Sequence, residues 1–218
     1  MKNLKVFNAK RVIFSFLVTI MLSLSGCFES GENIQTFELV PAVVGYSSQL
    51  FQPTIITPFG TFIAPELQKD YFVELMEGDA ILTSFYINYD QQSSTEYIVA
   101  SNVLYSKVEK GWPQSTNEGQ STGDYDVPIE NMVLYGGIEN IWFFVFRHTA
   151  SSNQKFAYEM TYDSNVTDDI PVVYIRARKD GQGGSENTTT FDFPYAFNMN
   201  YFFTAFKDAS NKVKFKIK

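Results

Sequence analysis

The sequence predicts an all-β protein, a small barrel followed by an antiparallel β-sandwich. Three observations predict it. Short runs that alternate apolar and polar residues, or stay apolar throughout, recur between clusters of Gly, Pro, Asn, Ser and Thr. Aromatics, which favour strands, make up 17% of the residues, and few stretches carry the 3.6-residue period of an amphipathic helix. A stretch poor in aliphatics, 110–124, separates an earlier group of strands from a later one.

The first 26 residues read as a signal peptide rather than as part of the fold. Lys2, Lys5, Lys10 and Arg11 give a basic start, and no acidic residue precedes Glu29. The apolar run 12–24 holds 13 residues. As a helix it would span about 20 Å, too short for a bilayer core of about 30 Å. Leu24, Ser25 and Gly26 then lead into Cys27, the single cysteine, in the pattern of a bacterial lipobox. The expectation is cleavage before Cys27 and acylation of its sulfur and amine by chains such as palmitate. At about 0.8 kcal/mol per buried CH₂, two or more chains hold a protein firmly to a membrane. Phe28, in place of an Asp, points to the outer membrane, and 27–34 reads as a tether.

Charge narrows the partners. The whole chain carries a net −7; without the four basic residues of 1–26 it has 13 basic against 24 acidic residues, a net −11. Such a body argues against nucleic acid and against electrostatic attraction to anionic head groups. Membrane contact is expected through the lipid anchor. With Cys27 acylated, no thiol remains for disulfides or nucleophilic catalysis.

The barrel is expected over 35–109. In 36–46, Pro41 interrupts an apolar run, which suits a bulged or edge strand. Segments 51–57 and 60–64 flank the tight turn Pro58-Phe59-Gly60, and 65–71 is the one plausible helical turn. Strand 80–89 carries Ile81, Leu82, Phe85, Ile87 and Tyr89; a polar loop, 90–95, turns it into 96–108. About five strands in so short a segment suit a closed barrel of the oligonucleotide/oligosaccharide-binding (OB) type. The segment 110–124 reads as an interdomain linker or a long loop, with a domain boundary preferred.

The sandwich is expected over 125–218. Its strands start with 129–134, followed by 141–146, apolar throughout as for a central strand. Phe156, Tyr158, Met160 and Tyr162 alternate with Ala157, Glu159, Thr161 and Asp163, so one buried face is expected there. Segments 172–179, 191–200 and 201–206 read as further strands, and the hairpin loop 180–184 follows the first of them. In the last strand Val213, Phe215 and Ile217 face in while Lys212, Lys214, Lys216 and Lys218 face out, guarding an edge.

This layout, with Glu77-Gly78-Asp79-Ala80-Ile81-Leu82, the segment 97–105 and the strands of 141–162, 172–181 and 190–218, resembles the NigD-like lipoproteins of Bacteroidales. The resemblance covers about 35–218. It implies an N-terminal OB-type barrel and a C-terminal sandwich; it implies no established activity, cofactor or catalytic residue.

Candidate chemistry is sparse. His148 is the single histidine, which excludes His-pair zinc motifs, and no Gly-x-Ser-x-Gly accompanies it. It reads as a structural or surface residue. Glu159, Asp163, Asp168 and Asp169 cluster in sequence as an acidic loop. Asp163, Asn165, Asp168 and Asp169 offer calcium-type oxygens, yet without the EF-hand glycine and closing glutamate. Asp180-Gly181-Gln182-Gly183-Gly184 has no following Lys-Ser/Thr, so it reads as a hairpin rather than a phosphate loop. The sequons at Asn165 and Asn187 are coincidental in a bacterial lipoprotein. Most aromatics belong to the core, and Trp112 is the candidate for stacking on a ligand.

The expectation is therefore a lipid-anchored, non-enzymatic envelope protein of the outer membrane with no cofactor and no metal, binding another envelope protein or a glycan. Two alternatives from other classes are a carboxylate-dependent glycan hydrolase and a structural subunit of a surface complex.

Overall fold

The computed structural model describes residues 33–92, 96–151, 153–163, 165, 170–181, 188–207 and 215–218. The signal peptide, the lipobox residues Leu24, Ser25, Gly26 and Cys27, and all but the end of the tether lie outside them, as do Asp168, Asp169, 182–187 and 208–214. The chain divides into two compact units. One holds 33–109 with Gly137–Glu139; the other holds Lys110–Gly136 and Asn140–Lys218.

The first unit is a five-stranded OB-like barrel. Its strands are β1 (Ile34–Ser47), β2 (Gln52–Thr57), β3 (Gly60–Ile63), β4 (Ala80–Asn88) and β5 (Ser101–Lys107). They lie in the order β3-β2-β1-β4-β5, each neighbouring pair antiparallel. A parallel bridge between Ile63 and Val99 joins the two ends of this sheet. There the Ile63 amide donates to the Ile98 carbonyl at 2.9 Å, and the Ala100 amide donates to the Ile63 carbonyl at 2.8 Å. This bridge is the closing contact of the barrel, and beyond it the Glu66 carboxylate accepts the amides of Asn102 and Val103 on β5.

The β4 side chains Ile81, Phe85 and Ile87 alternate into the barrel and meet Phe37, Val44, Ile55 and Phe62. Phe37 stacks on Phe85 with ring centres 4.6 Å apart. A 3-10 turn at Pro65–Lys69 adds the buried Leu67, and Tyr71 and Leu75 follow it into the same core. Gly60 has φ +140, in the region that favours glycine, so the Pro58-Phe59-Gly60 turn forms as expected.

β1 is bulged between Phe37 and Val40, but it is the central strand and not an edge. Pro41 is tolerated because β2 begins its pairing only at Val43, so β4 alone flanks the proline.

The second unit is a sandwich of two four-stranded sheets. One runs β13-β11-β10-β7, from β7 (Gln114–Ser115), β10 (Lys155–Tyr162), β11 (Val172–Asp180) and β13 (Lys216–Ile217). The other runs β6-β12-β9-β8, from β6 (Glu109–Gly111), β8 (Asn131–Ile138), β9 (Ile141–Ser151) and β12 (Thr188–Asn198). β9 pairs antiparallel with β12 from Ile141↔Asn198 to Ser151↔Thr188, and β10 with β11 from Lys155↔Asp180 to Tyr162↔Val173. The short outer strands β7 and β13 add in parallel, so that sheet is mixed. Phe144, Phe146, Met160, Val173, Phe197 and Phe202 fill the space between the sheets.

Three expectations are corrected here. The segment 110–124 is not a linker. It supplies β6, β7 and a 3-10 turn at Asn117–Gly119, all built into the sandwich unit. Second, β10 is buried on both faces, Glu159 and Thr161 included, because this polar segment lies over them.

Third, 201–206 is not a strand but part of the helix α1 (Asn200–Phe206). Phe202 and Phe206, one helical turn apart, both meet the Tyr162 ring, at 5.1 and 5.5 Å. Alternation would have put Tyr201 inside, yet it is exposed. Of the last strand, Phe215 is buried and Lys216–Ile217 pair with β11 at the sheet edge; Lys212, Val213 and Lys214 lie outside the described residues.

Candidate functional site

The sandwich unit carries a cleft of about 470 Å³. One wall is the segment 125–132, which is fastened at several points. The Val127 amide donates to the Ala177 carbonyl of β11 at 2.9 Å, and the Glu130 amide donates to the Arg147 carbonyl at 3.1 Å. The opposite wall is the chain's end, where Lys218 donates to Val173 and accepts from Ile175, both at 2.9 Å. Val127, Ile129, Met132 and Ile175 form an apolar floor. Tyr125, Asp126, Glu130, Asn131, Arg176 and Lys218 form a rim of mixed charge.

Two of the rim's charges, Glu130 and Arg176, are held by the framework. A Glu130 carboxylate oxygen accepts the Thr149 amide at 2.8 Å. Hydrogen bonds from Thr149, with His148 and Arg147 nearby, hold its carboxyl below the usual range. Arg176 donates to the Thr161 hydroxyl at 2.7 Å and to the Gly119 carbonyl at 2.9 Å. The guanidinium of Arg176 also lies over the Tyr174 ring, 5.1 Å from its centre, and that of Arg178 over Tyr125 at 4.9 Å.

Beneath the 3-10 turn at Asn117–Gly119, the Glu159 carboxylate is almost fully buried. It accepts the Thr122 amide at 3.0 Å, the Thr122 hydroxyl at 2.8 Å and the Ser121 hydroxyl, and pairs with Arg176 at 3.4 Å. A buried carboxylate is tolerated when its oxygens are met by donors, and here both are. Gly119 completes the arrangement with φ +68 and no room for a side chain: a Cβ would stand 2.3 Å from the Tyr174 ring. This cluster fastens a loop and presents no free carboxylate.

His148 is 2% exposed. Its ring stacks on Phe156 with centres 4.1 Å apart, and Nδ1 pairs with the Pro128 carbonyl at 3.0 Å. With that carbonyl as acceptor, Nδ1 carries the proton and Nε2 is an acceptor with no hydrogen-bond partner among the described residues. Burial pushes the imidazole below its ordinary value. His148 is thus inside, not at the surface, and its role is structural. Asp163 caps a local turn by accepting the Asn165 amide at 2.9 Å. Glu159 lies apart from it, in the buried cluster. Among the described residues, no three or more His, Cys, Asp or Glu side chains group as a metal site.

Trp112, between β6 and β7, is 53% exposed and does not line the cleft. Sequence reasoning missed the cleft residues. Their one local signal is 126–130, where Asp126, Pro128 and Glu130 alternate with Val127 and Ile129.

The same fold recurs in solved structures. A protein from Parabacteroides merdae ATCC 43184 matches with a TM-score of 0.61 at 17% identity, covering 76% of this chain and 79% of that one. A candidate lipoprotein from Bacteroides fragilis NCTC 9343 matches with a TM-score of 0.52 at 11% identity, over 79% and 81%. A NigD-like immunity protein from Bacteroides caccae ATCC 43185 gives a TM-score of 0.49 at 12% identity, over 88% and 86%. No family model matches the chain, and no curated protein does. At these identities the likeness is one of fold alone, and it rests on the Parabacteroides merdae and Bacteroides fragilis structures.

Proposed function

We propose that this chain is a non-enzymatic binding protein of the bacterial envelope. It is held to the outer membrane by acylated Cys27, and the sandwich cleft takes one unit of an envelope protein or glycan. The observation that carries the binding reading is the cleft, apolar residues beside a rim of mixed charge in which Glu130 and Arg176 are tied to the framework. Fixed polar groups around an apolar floor orient a ligand. A carboxylate-dependent glycan hydrolase would need one acid kept protonated by a raised pKa. Glu130 is shifted the other way, and Glu159 is spent on Ser121, Thr122 and Arg176.

The placement rests on the lipobox in the sequence, and the candidate lipoprotein among the structural neighbours is in keeping with it. Trp112, exposed on the same unit, is the residue offered for stacking on a glycan.

Two measurements test the reading. Cys27→Ser should move the protein from the membrane fraction to the soluble fraction of the envelope; unchanged fractionation removes the anchor. Pull-down of the lipidated protein from native envelope should recover a protein or glycan that Asn131→Trp, which fills the mouth of the cleft from an exposed rim position, releases. Recovery indifferent to that substitution removes the cleft from the function.

A further inference from the structure

The barrel unit carries a rigid apolar prong. After the 3-10 turn, Tyr71 and Leu75 are buried in the barrel core while the residues beside them point out: Phe72 is 73% exposed, Val73 78% and Met76 62%. The prong is not a loose loop. The Asp70 carbonyl accepts the amides of Val73, Glu74 and Leu75, and the Phe72 amide donates to the Leu75 carbonyl at 2.8 Å. Asp79 accepts the Met76 amide at 3.0 Å, and Lys107 donates to the Glu74 carbonyl at 3.0 Å. Phe72 packs edge-on against Tyr71, which stacks on Tyr46 of β1. Phe51, in the turn that follows β1, is also 73% exposed. Phe72 has φ 68 and Phe51 φ 55, a region bulky side chains seldom adopt.

The surroundings are acidic. Asp70, Glu74 and Glu77 flank the prong, and the nearby Lys107 is already paired with Asp79 at 2.8 Å. Burial, and after it Asp70 and Glu74, push the Tyr105 phenol up to about 12. An anionic membrane and a second copy of this acidic chain would both be repelled.

We infer that the prong formed by Phe72, Val73 and Met76 docks a protein partner whose surface has an apolar pocket edged by Lys or Arg. Rigid apolar anchors with a charged rim are what a protein interface concentrates its energy on, and charge complementarity selects the partner.

The test is a random peptide library displayed on phage, panned on the full chain and counter-selected on a Phe72→Asn/Val73→Ser chain. Asn accepts positive φ, so this variant should keep its melting temperature. Enriched peptides should carry several Lys or Arg around an aromatic or aliphatic pair. They should bind the double variant about tenfold or more weakly, and likewise Glu74→Gln/Glu77→Gln at low salt. Neutral or acidic peptides, peptides indifferent to both variants, no enrichment at all, or retention on phosphatidylglycerol vesicles of the Cys27→Ser chain, which carries no lipid, would each overturn the inference.

Discussion

Glu159 and Arg176 face each other in register across β10 and β11, carboxylate to guanidinium at 3.4 Å. The same short loop uses both of them. Ser121 and Thr122 donate to Glu159, and the Gly119 carbonyl accepts from Arg176. The pair therefore clamps a polar segment onto a sheet face that would otherwise leave a buried charge unmet.

Removing one partner of a buried pair costs more than the pair contributes, because the other is left uncompensated. Glu159→Ala should destabilise the chain by about 3 kcal/mol in denaturant unfolding. The Thr122 amide, which donates to Glu159, should also exchange with solvent much faster. An amide that stays protected in the variant would show the loop is held by something else.

Gly119 is required twice, for its positive φ and for the closeness of Tyr174. Gly119→Ala should cost about 2 kcal/mol or more. Combining it with Tyr174→Ala removes the steric part and leaves the conformational part. The double variant should therefore be less destabilised than the sum of the singles. Strict additivity would sink the steric account.

His148 should give the fold an acid-sensitive step. Its folded value is depressed, first by burial, against the pull of the Pro128 carbonyl and of Glu130. The unfolded chain thus binds the proton more readily. The stability His148 contributes is fully present above its ordinary value of about 6.5 and is lost as pH falls through the depressed folded value. Glu130, also depressed, acts lower, below the ordinary glutamate range. Melting curves between pH 7.5 and about 5 should fall for the parent and flatten for His148→Phe, which keeps the stack on Phe156. A variant with the parent's pH dependence would assign the step elsewhere.

Much of the barrel was legible because its signals are local. The alternation of Ile81, Phe85 and Ile87 marks an inward face, and Gly60 marks its turn. That β1 is central rather than an edge was not legible, since Pro41 reports a local interruption while strand order depends on distant pairings. In the sandwich, Tyr201 to Phe206 misled for a related reason: aromatics favour strands, and only the packing of Phe202 and Phe206 on Tyr162 selects a helix. The segment 110–124 looked like a linker because hydrophobic patterning cannot register a loop held by hydrogen bonds to Glu159. The cleft was invisible for the same physical reason. Asp126, Glu130, Arg176 and Lys218 come together through sheet topology, with no spacing that announces them.

Barrel closure rests on few bonds and can be broken selectively. Ile63 joins the ends of the sheet through its own amide, which donates to Ile98, and its carbonyl, which accepts from Ala100. Proline has no amide hydrogen to donate, so Ile63→Pro should destabilise the barrel by about 3 kcal/mol. The control is Ile63→Val, which keeps the amide and most of the apolar contact and should cost about 1 kcal/mol. If the sheet end at Ile63 and Val99 opens, the Ala100 amide should lose its protection in hydrogen exchange while amides in the centre of β4 keep theirs. Equal loss of stability for the two variants would mean that Ile63 acts through its side chain, and that the bridge is a consequence of the barrel rather than what closes it.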